Sequence, residues 1–88
     1  MKIAIDYDNT FSADPRLFMI FAQAATVLGH DVAIVTSRRP DCPVPLANCG
    51  IPIVYCSFTA KRKHFPADIW IDDDPKHIDI DHDMSVFK

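Results

Sequence analysis

No run of apolar residues in this sequence approaches the ~20 that a membrane-spanning helix requires. The first residues, MKIAID, carry one lysine and reach an acid almost at once, which is not the pattern of a secretory signal. The expected setting is therefore cytoplasmic, with no membrane partner. No C-x-x-C pair occurs, so the usual zinc-ligand spacing is missing. Cys42, Cys49 and Cys56 are odd in number, so one at least cannot pair within the chain, and free thiols are the expectation. A basic excess is also lacking: 9 Lys and Arg stand against 12 Asp and Glu, for a net charge of −3. That balance speaks against a protein built to coat nucleic acid, while leaving room for a local basic patch. There are no internal repeats and no linker-like stretch.

What is present is enough for one domain. A chain of 88 residues with 49% hydrophobic side chains can build a single core, burying about 60% of its unfolded surface. KIAI (2–5) reads as a strand. Asp14 suits a helix N-cap and Pro15 the first turn, and the apolar stretch that follows runs to Gly29, a natural C-cap, so the spacing predicts a helix over about 15–28. DVAIVT (31–36) predicts a second strand, the proline-rich 37–50 a loop, and IPIVYCS (51–57) a third strand. TAKRKHF predicts one or two helical turns stopped by Pro66, and ADIWID (67–72) a fourth strand. The tail from Asp73 predicts a short turn or helix and a last edge strand, MSVF (84–87). Strands apolar almost throughout imply burial on both faces, and their alternation with helical segments implies a parallel sheet. The expected fold is a minimal Rossmann-like, three-layer α/β sandwich with about four parallel strands.

In such a sheet ligands bind beyond the carboxyl ends of the strands. Strand one ends in Asp6 and Asp8, strand two in Thr36, Ser37, Arg38 and Arg39, strand three leads to Ser57, Thr59 and Lys61, and strand four ends in Asp72, Asp73 and Asp74. All these polar groups fall on one edge if the sheet is parallel. Two converging acidic clusters repel each other, and a hard divalent cation with oxygen ligands offsets that repulsion. The hydroxyls and cations opposite suit phosphate oxygens. Each feature has a plainer reading. A lone D-x-D is common in loops, Thr36 fits a turn, Arg38 and Arg39 fit a solvated loop, Lys61 to Lys63 fit an exposed helix surface, and IDDD fits a helix cap.

DYDNT (6–10) resembles motif I, D-x-D-x-T, of the haloacid dehalogenase-like phosphohydrolases. IVTSR (34–38) resembles motif II, Lys61 sits where the motif III lysine comes, and IWIDDDP (69–75) resembles motif IV. The likeness spans residues 3–75 with all four motifs in order, and it is to the small members of that family that lack a cap domain. The resemblance implies a Mg²⁺-dependent phosphomonoesterase. Asp6 would be the nucleophile that forms an aspartyl-phosphate, and Asp8 the general acid and then base. Thr36, with Ser37, Arg38 and Lys61, would hold the phosphoryl group. Asp6, Asp8 (through its carbonyl), Asp72 and Asp73 would hold Mg²⁺, with Asp73 acting through water or orienting Lys61.

This sequence departs from the pattern in having Asn9 where Gly is usual, and its motif III is ambiguous between Lys61 and Lys63. Asn tolerates left-handed backbone better than most residues. The gaps 9–14 and 37–60 are too short for a cap, so the expected site is open. Arg38, Arg39, Arg62, Lys63 and His64 form an expected cationic rim, which would suit a phosphorylated macromolecule such as a nucleic-acid end or a phosphoprotein. The competing expectation is a phosphate- or metal-binding module of the same fold with little turnover. A receiver-like phospho-acceptor domain fits less well, because no acceptor Asp follows a middle strand.

Overall fold

The computed structural model describes residues 1–46 and 49–83. Four strands, β1 (Lys2–Ile5), β2 (Asp31–Thr36), β3 (Ile53–Tyr55) and β4 (Ile69–Ile71), form one sheet in the order β3-β2-β1-β4. Every pairing is parallel, with Ile3 opposite Val32 and Ile69, and Val35 opposite Val54. One α-helix, α1 (Pro15–Val27), connects β1 to β2, and three 3₁₀ turns lie at Phe11–Ala13, Lys61–Lys63 and Pro75–Ile78. Among the described residues this is an α/β fold with a four-stranded parallel sheet and one α-helix. No helix of the described residues is long and apolar enough to cross a membrane.

The limits of α1 follow from its end residues. The Asp14 carboxylate accepts the Leu17 N–H at 3.2 Å, satisfying one orphan donor of the first turn, and Pro15 follows directly. At the other end Gly29 takes φ +93°, which lets its N–H reach Thr26 O and the His30 N–H reach Ala25 O, both at 3.0 Å. That is a Schellman closure, and it needs a residue free to adopt left-handed backbone.

Both faces of the sheet are buried, as the near-continuous apolar strands require. On one face Ile3, Ile5, Val32 and Ile34 pack with Phe11, Ala22 and Ala25. On the other, Ala4, Ala33 and Val35 pack with Cys56, Phe65 and Ala67. This second layer contains no α-helix among the described residues. The expected helical turns of TAKRKHF shrink to the 3₁₀ turn Lys61–Lys63, and Phe65 and Ala67 cover the sheet from irregular chain.

β3 and β4 are shorter than their apolar runs suggest. Ser57 and Phe58 turn to φ +50° and +63°, which ends β3 early. At β4 the Asp68 carboxylate takes the Lys2 N–H at 2.8 Å, and the strand runs only from Ile69 to Ile71. The expected edge strand MSVF (84–87) lies outside the described residues.

The strand order determines where a ligand fits. From β1 the chain steps through α1 to β2 and β3 on one side, then returns to place β4 on the other side of β1. The connections diverge between β1 and β4, which leaves a crevice at their carboxyl ends.

Candidate functional site

Asp6 follows β1 and Asp72 follows β4, so the two carboxylates stand on either side of that crevice. Lys61 comes between them from the 3₁₀ turn after β3, with Nζ 2.8 Å from Asp6 Oδ1 and 2.6 Å from Asp72 Oδ2. Lys61 is only 3% exposed, although it starts a run of three cations. Its position is set by Ala60, which is buried and whose N–H is accepted by the Asp81 carboxylate at 2.7 Å.

Thr10 completes the cluster. Its hydroxyl lies 3.3 Å from Asp6 Oδ2 and 3.0 Å from Asp73 Oδ1, and it accepts the Asp73 N–H at 3.1 Å. The turn that brings Thr10 back over Asp6 passes through Asn9 at φ +61°, a conformation asparagine tolerates better than most residues. Asp72 Oδ1 accepts the Asp74 N–H at 3.0 Å, which fixes the second carboxylate.

Carboxylate oxygens of Asp6, Asp72 and Asp73 lie within 4.8 Å of one another. One lysine among three such groups leaves surplus negative charge. Burial pushes the Asp6 carboxyl up to about 7, against the pull of Lys61 and with added repulsion from Asp72. Burial pulls the Lys61 ammonium down, but its hydrogen bonds to Asp6 and Asp72 outweigh that, and the net shift is upward. Hydrogen bonding with Asp6 and with Thr10 holds Asp73 below the usual carboxylate range. An all-oxygen donor set with excess negative charge, open on the Asp73 side, fits a hard divalent cation.

The cluster floors a cavity of about 280 Å³, whose rim includes Asp8, Asn9, Ser37, Arg38, Phe58, Asp74, His77 and His82. Asp8 does not join Asp6 in the cluster. Its carboxylate is held by the Arg38 fork, Nη2 at 2.7 Å and Nε at 3.0 Å, while Arg38 Nη1 donates to Pro43 O at 2.9 Å. Thr36 is fully buried, does not line the cavity, and its hydroxyl accepts the Arg38 N–H at 3.2 Å. The Ser37 hydroxyl meets His82 Nε2 at 3.0 Å.

The expected cationic rim is largely paired elsewhere. Arg39 contacts Asp41, Arg62 contacts Asp79, Lys63 contacts Asp81 and His64 contacts Thr59. None of these four lines the cavity. Of the two candidate lysines, only Lys61 reaches the carboxylates.

Thr10, Phe58, His77 and His82 also belong to the site or its wall, and none of them was expected there from the sequence. Thr10 was legible as the last position of D-x-D-x-T. The two histidines had no local signal, because they come from the tail after β4. Comparison with family models, with curated proteins and with solved structures finds no match for this chain.

Proposed function

We propose that the chain is a Mg²⁺-dependent phosphomonoesterase of the haloacid dehalogenase type, with an open site. The observation that carries this reading is the Asp6–Lys61–Asp72 bridge at the β1/β4 crevice, with Thr10 and Asp73 beside it. A structural ion pair needs one carboxylate per lysine. Here three carboxylates and one lysine are gathered at the ligand-binding edge, and two of them are side-chain buried. Carboxyl groups perturbed by burial and by a specific charge partner, gathered in a cleft, are candidates for a functional site.

Asp6, Asp72 and Asp73 would hold Mg²⁺, which when bound neutralises the carboxylates and draws charge from the phosphoryl oxygens. The Asp6 oxygen attacks phosphorus and the bond from phosphorus to the leaving oxygen breaks, which leaves an acyl-phosphate on Asp6. Asp8, freed from the Arg38 fork and protonated from solvent, gives that proton to the leaving oxygen. Water, losing its proton to Asp8, then attacks phosphorus and releases inorganic phosphate, and the Asp6 carboxylate is restored. Lys61 stays charged throughout, stabilising the phosphoryl oxygens and keeping Asp6 oriented.

For Asp8 to act, it must leave the Arg38 fork. A phosphoryl group supplies two oxygens in the spacing that fork accepts, so substrate can take the place of the carboxylate. Arg38 then serves as a phosphate ligand and Asp8 swings toward the leaving oxygen.

A second reading, a phosphate- or metal-binding module with little turnover, is favoured by Thr36. Its side chain is fully buried and does not line the cavity, so the motif II contact to phosphate is missing from this arrangement. The deciding experiment is phosphate release from a panel of phosphomonoesters with and without Mg²⁺. Many turnovers per chain, abolished by chelator and by Asp6→Asn, are expected. Saturable Mg²⁺ and phosphate binding with no turnover would establish the module instead.

A further inference from the structure

The wall of the cavity beyond the carboxylates is aromatic. Phe58, His77 and His82 all line it, and all three are half-buried. The His77 and His82 rings stack at 3.5 Å between centroids with 15° between planes, and Phe58 meets His82 edge-on at 5.4 Å and 71°. These rings come from two separate segments, the turn after β3 and the stretch from the last 3₁₀ turn, which holds His77, to His82 beyond it.

The wall is also fixed in place. Ser57 and Phe58 both hold left-handed backbone, a costly conformation for residues other than Gly. They are pinned by bonds from the Phe58 N–H to Ser37 O at 2.8 Å and from the Ser57 N–H to Arg38 O at 3.1 Å. The tail is tied to the same loop by the His82 N–H on Phe58 O at 2.9 Å and by His82 Nε2 on the Ser37 hydroxyl at 3.0 Å. Together with Asn9, these are all the non-glycine residues with positive φ among the described residues; Asn9 and Phe58 line this cavity, and Ser57 directly precedes Phe58. Strain kept in one place points to a geometry the site needs.

We infer that this wall is the leaving-group subsite, and that it takes the base of a nucleoside monophosphate. This rests on the phosphate lying against Lys61 and the carboxylates, as proposed above. Neither connection that could hold a cap, 9–14 or 37–60, contains a second domain among the described residues, so a leaving group that touches this chain does so at the rim. The cavity, about 280 Å³, lies just below the ~300–1,000 Å³ usual for small-molecule sites, which suits a mononucleotide better than a folded partner. Imidazole and phenyl rings are the platforms on which bases stack.

The wall is not purely apolar either. Ile80 O can only accept, so His77 Nδ1, 2.9 Å away, donates to it, which fixes the ring's orientation. Imidazole rings at the wall offer polar atoms that a heterocycle can meet and a bare phenyl ring cannot.

The test uses the Asp6→Asn variant, which keeps the ligand intact, titrated in Mg²⁺ with adenosine 5′-monophosphate, ribose 5-phosphate and phenyl phosphate. The nucleotide and the sugar phosphate differ only by the base. The nucleotide is expected to bind about tenfold or more tightly than ribose 5-phosphate, in line with stacking on one platform, and to shift the ring-proton resonances of His77 and His82. His77→Ala and Phe58→Leu, added singly and checked for native melting, are expected to bring that ratio toward one. Equal affinities, a ratio unmoved by either substitution, or tighter binding of phenyl phosphate than of the nucleotide would overturn the inference. Turnover by the wild-type chain is read separately. A nucleotide preference without phosphate release leaves the subsite standing and removes the phosphomonoesterase.

Discussion

Three consecutive cations, Lys61, Arg62 and Lys63, meet carboxylates in two different ways. Lys61 turns inward to Asp6 and Asp72, where all three side chains are nearly out of water, while Lys63 turns outward to Asp81 with 63% of its side chain exposed. Arg62 likewise pairs with Asp79 at the surface. The distances are similar, so proximity alone does not separate the two groups. Solvent does. In water an ion pair is screened and contributes little, whereas a buried charge that loses its partner has nothing to replace it.

The largest expected effect comes from breaking the inner pair. Lys61→Ala leaves Asp6 and Asp72 facing each other without a cation, and removing one partner of a buried pair costs about 3–5 kcal/mol. For a domain of this size that corresponds to a loss of at least ~10 °C in melting temperature. Millimolar Mg²⁺ should restore part of the loss, and more than it stabilises the wild type, because the carboxylates then depend on it alone. Differential scanning fluorimetry with and without chelator checks both statements. A Lys61→Ala variant that melts like the wild type in chelator would show that the cluster is not a coupled unit.

The second effect is on pH dependence in chelator. Asp6 has its folded pKa raised from 3.8 to about 7, so the native state binds this proton more tightly than the unfolded chain does. Its contribution is fully present below 3.8 and is lost as pH rises to about 7. Asp73, Asp79 and Asp81 are shifted the other way, by hydrogen bonds to Asp6, to Arg62 and to the Ala60 N–H respectively. Their contribution is present above 3.8 and is lost as pH falls below it. His82, held below 6.5 chiefly by burial, adds stability above 6.5 that is lost on acidification.

Asp6 alone therefore predicts falling stability between about pH 4 and 7, and the difference between wild type and Asp6→Asn isolates it. That difference should grow with pH in chelator and flatten in Mg²⁺. A flat difference in chelator would place Asp6 in an ordinary solvated setting.

Much of this arrangement was readable in the sequence, and the unread parts share one cause. β1, α1, β2 and the helix caps Asp14 and Gly29 are set by local pattern, and they fall within a residue of their expected limits. The meeting of Asp6, Lys61 and Asp72 followed from strand ends gathering on one edge of a parallel sheet. What sequence could not show was which way a side chain turns once it arrives. Asp8 and Arg38 both reach the edge, but their bidentate pairing draws Asp8 away from Asp6. The rim cations Arg39, Arg62 and Lys63 are neutralised by Asp41, Asp79 and Asp81, and two of those acids lie in a tail whose path no periodicity marked. His77 and His82 were missed for the same reason.

A smaller effect sharpens the comparison from the inside. Cys56 is fully buried beside the Lys61 turn, and burial pushes its thiol up to about 11 despite the attraction of Lys61, whereas Cys42 is exposed. An alkylating reagent at pH 8 should modify Cys42 quickly and leave Cys56 protected until the domain opens. In Lys61→Ala the protection of Cys56 should fall along with the stability, and mass spectrometry of the modified peptides reads both sites at once. Equal rates at the two cysteines in the native wild type would mean that the layer around Cys56, Phe65 and Ala67 is not closed.

The smallest effect is expected at the outer pairs, and it is the one that tests the comparison itself. Lys63→Ala and Arg62→Ala remove charges whose carboxylate partners remain in water, so each should move the melting temperature by no more than about 2 °C. Either variant should also respond to 1 M salt less than the wild type does, because salt screens only the pairs that solvent reaches. Asp81 is the exception within this outer group. Besides Lys63 it accepts the Ala60 N–H at 2.7 Å, the bond that precedes Lys61 and sets its approach to the crevice. Asp81→Ala should therefore cost more than Lys63→Ala, although both break the same ion pair, and the excess should be insensitive to salt. If the two variants melt alike, the outer carboxylate plays no part in aiming Lys61, and the inner cluster is held by Asp6 and Asp72 alone.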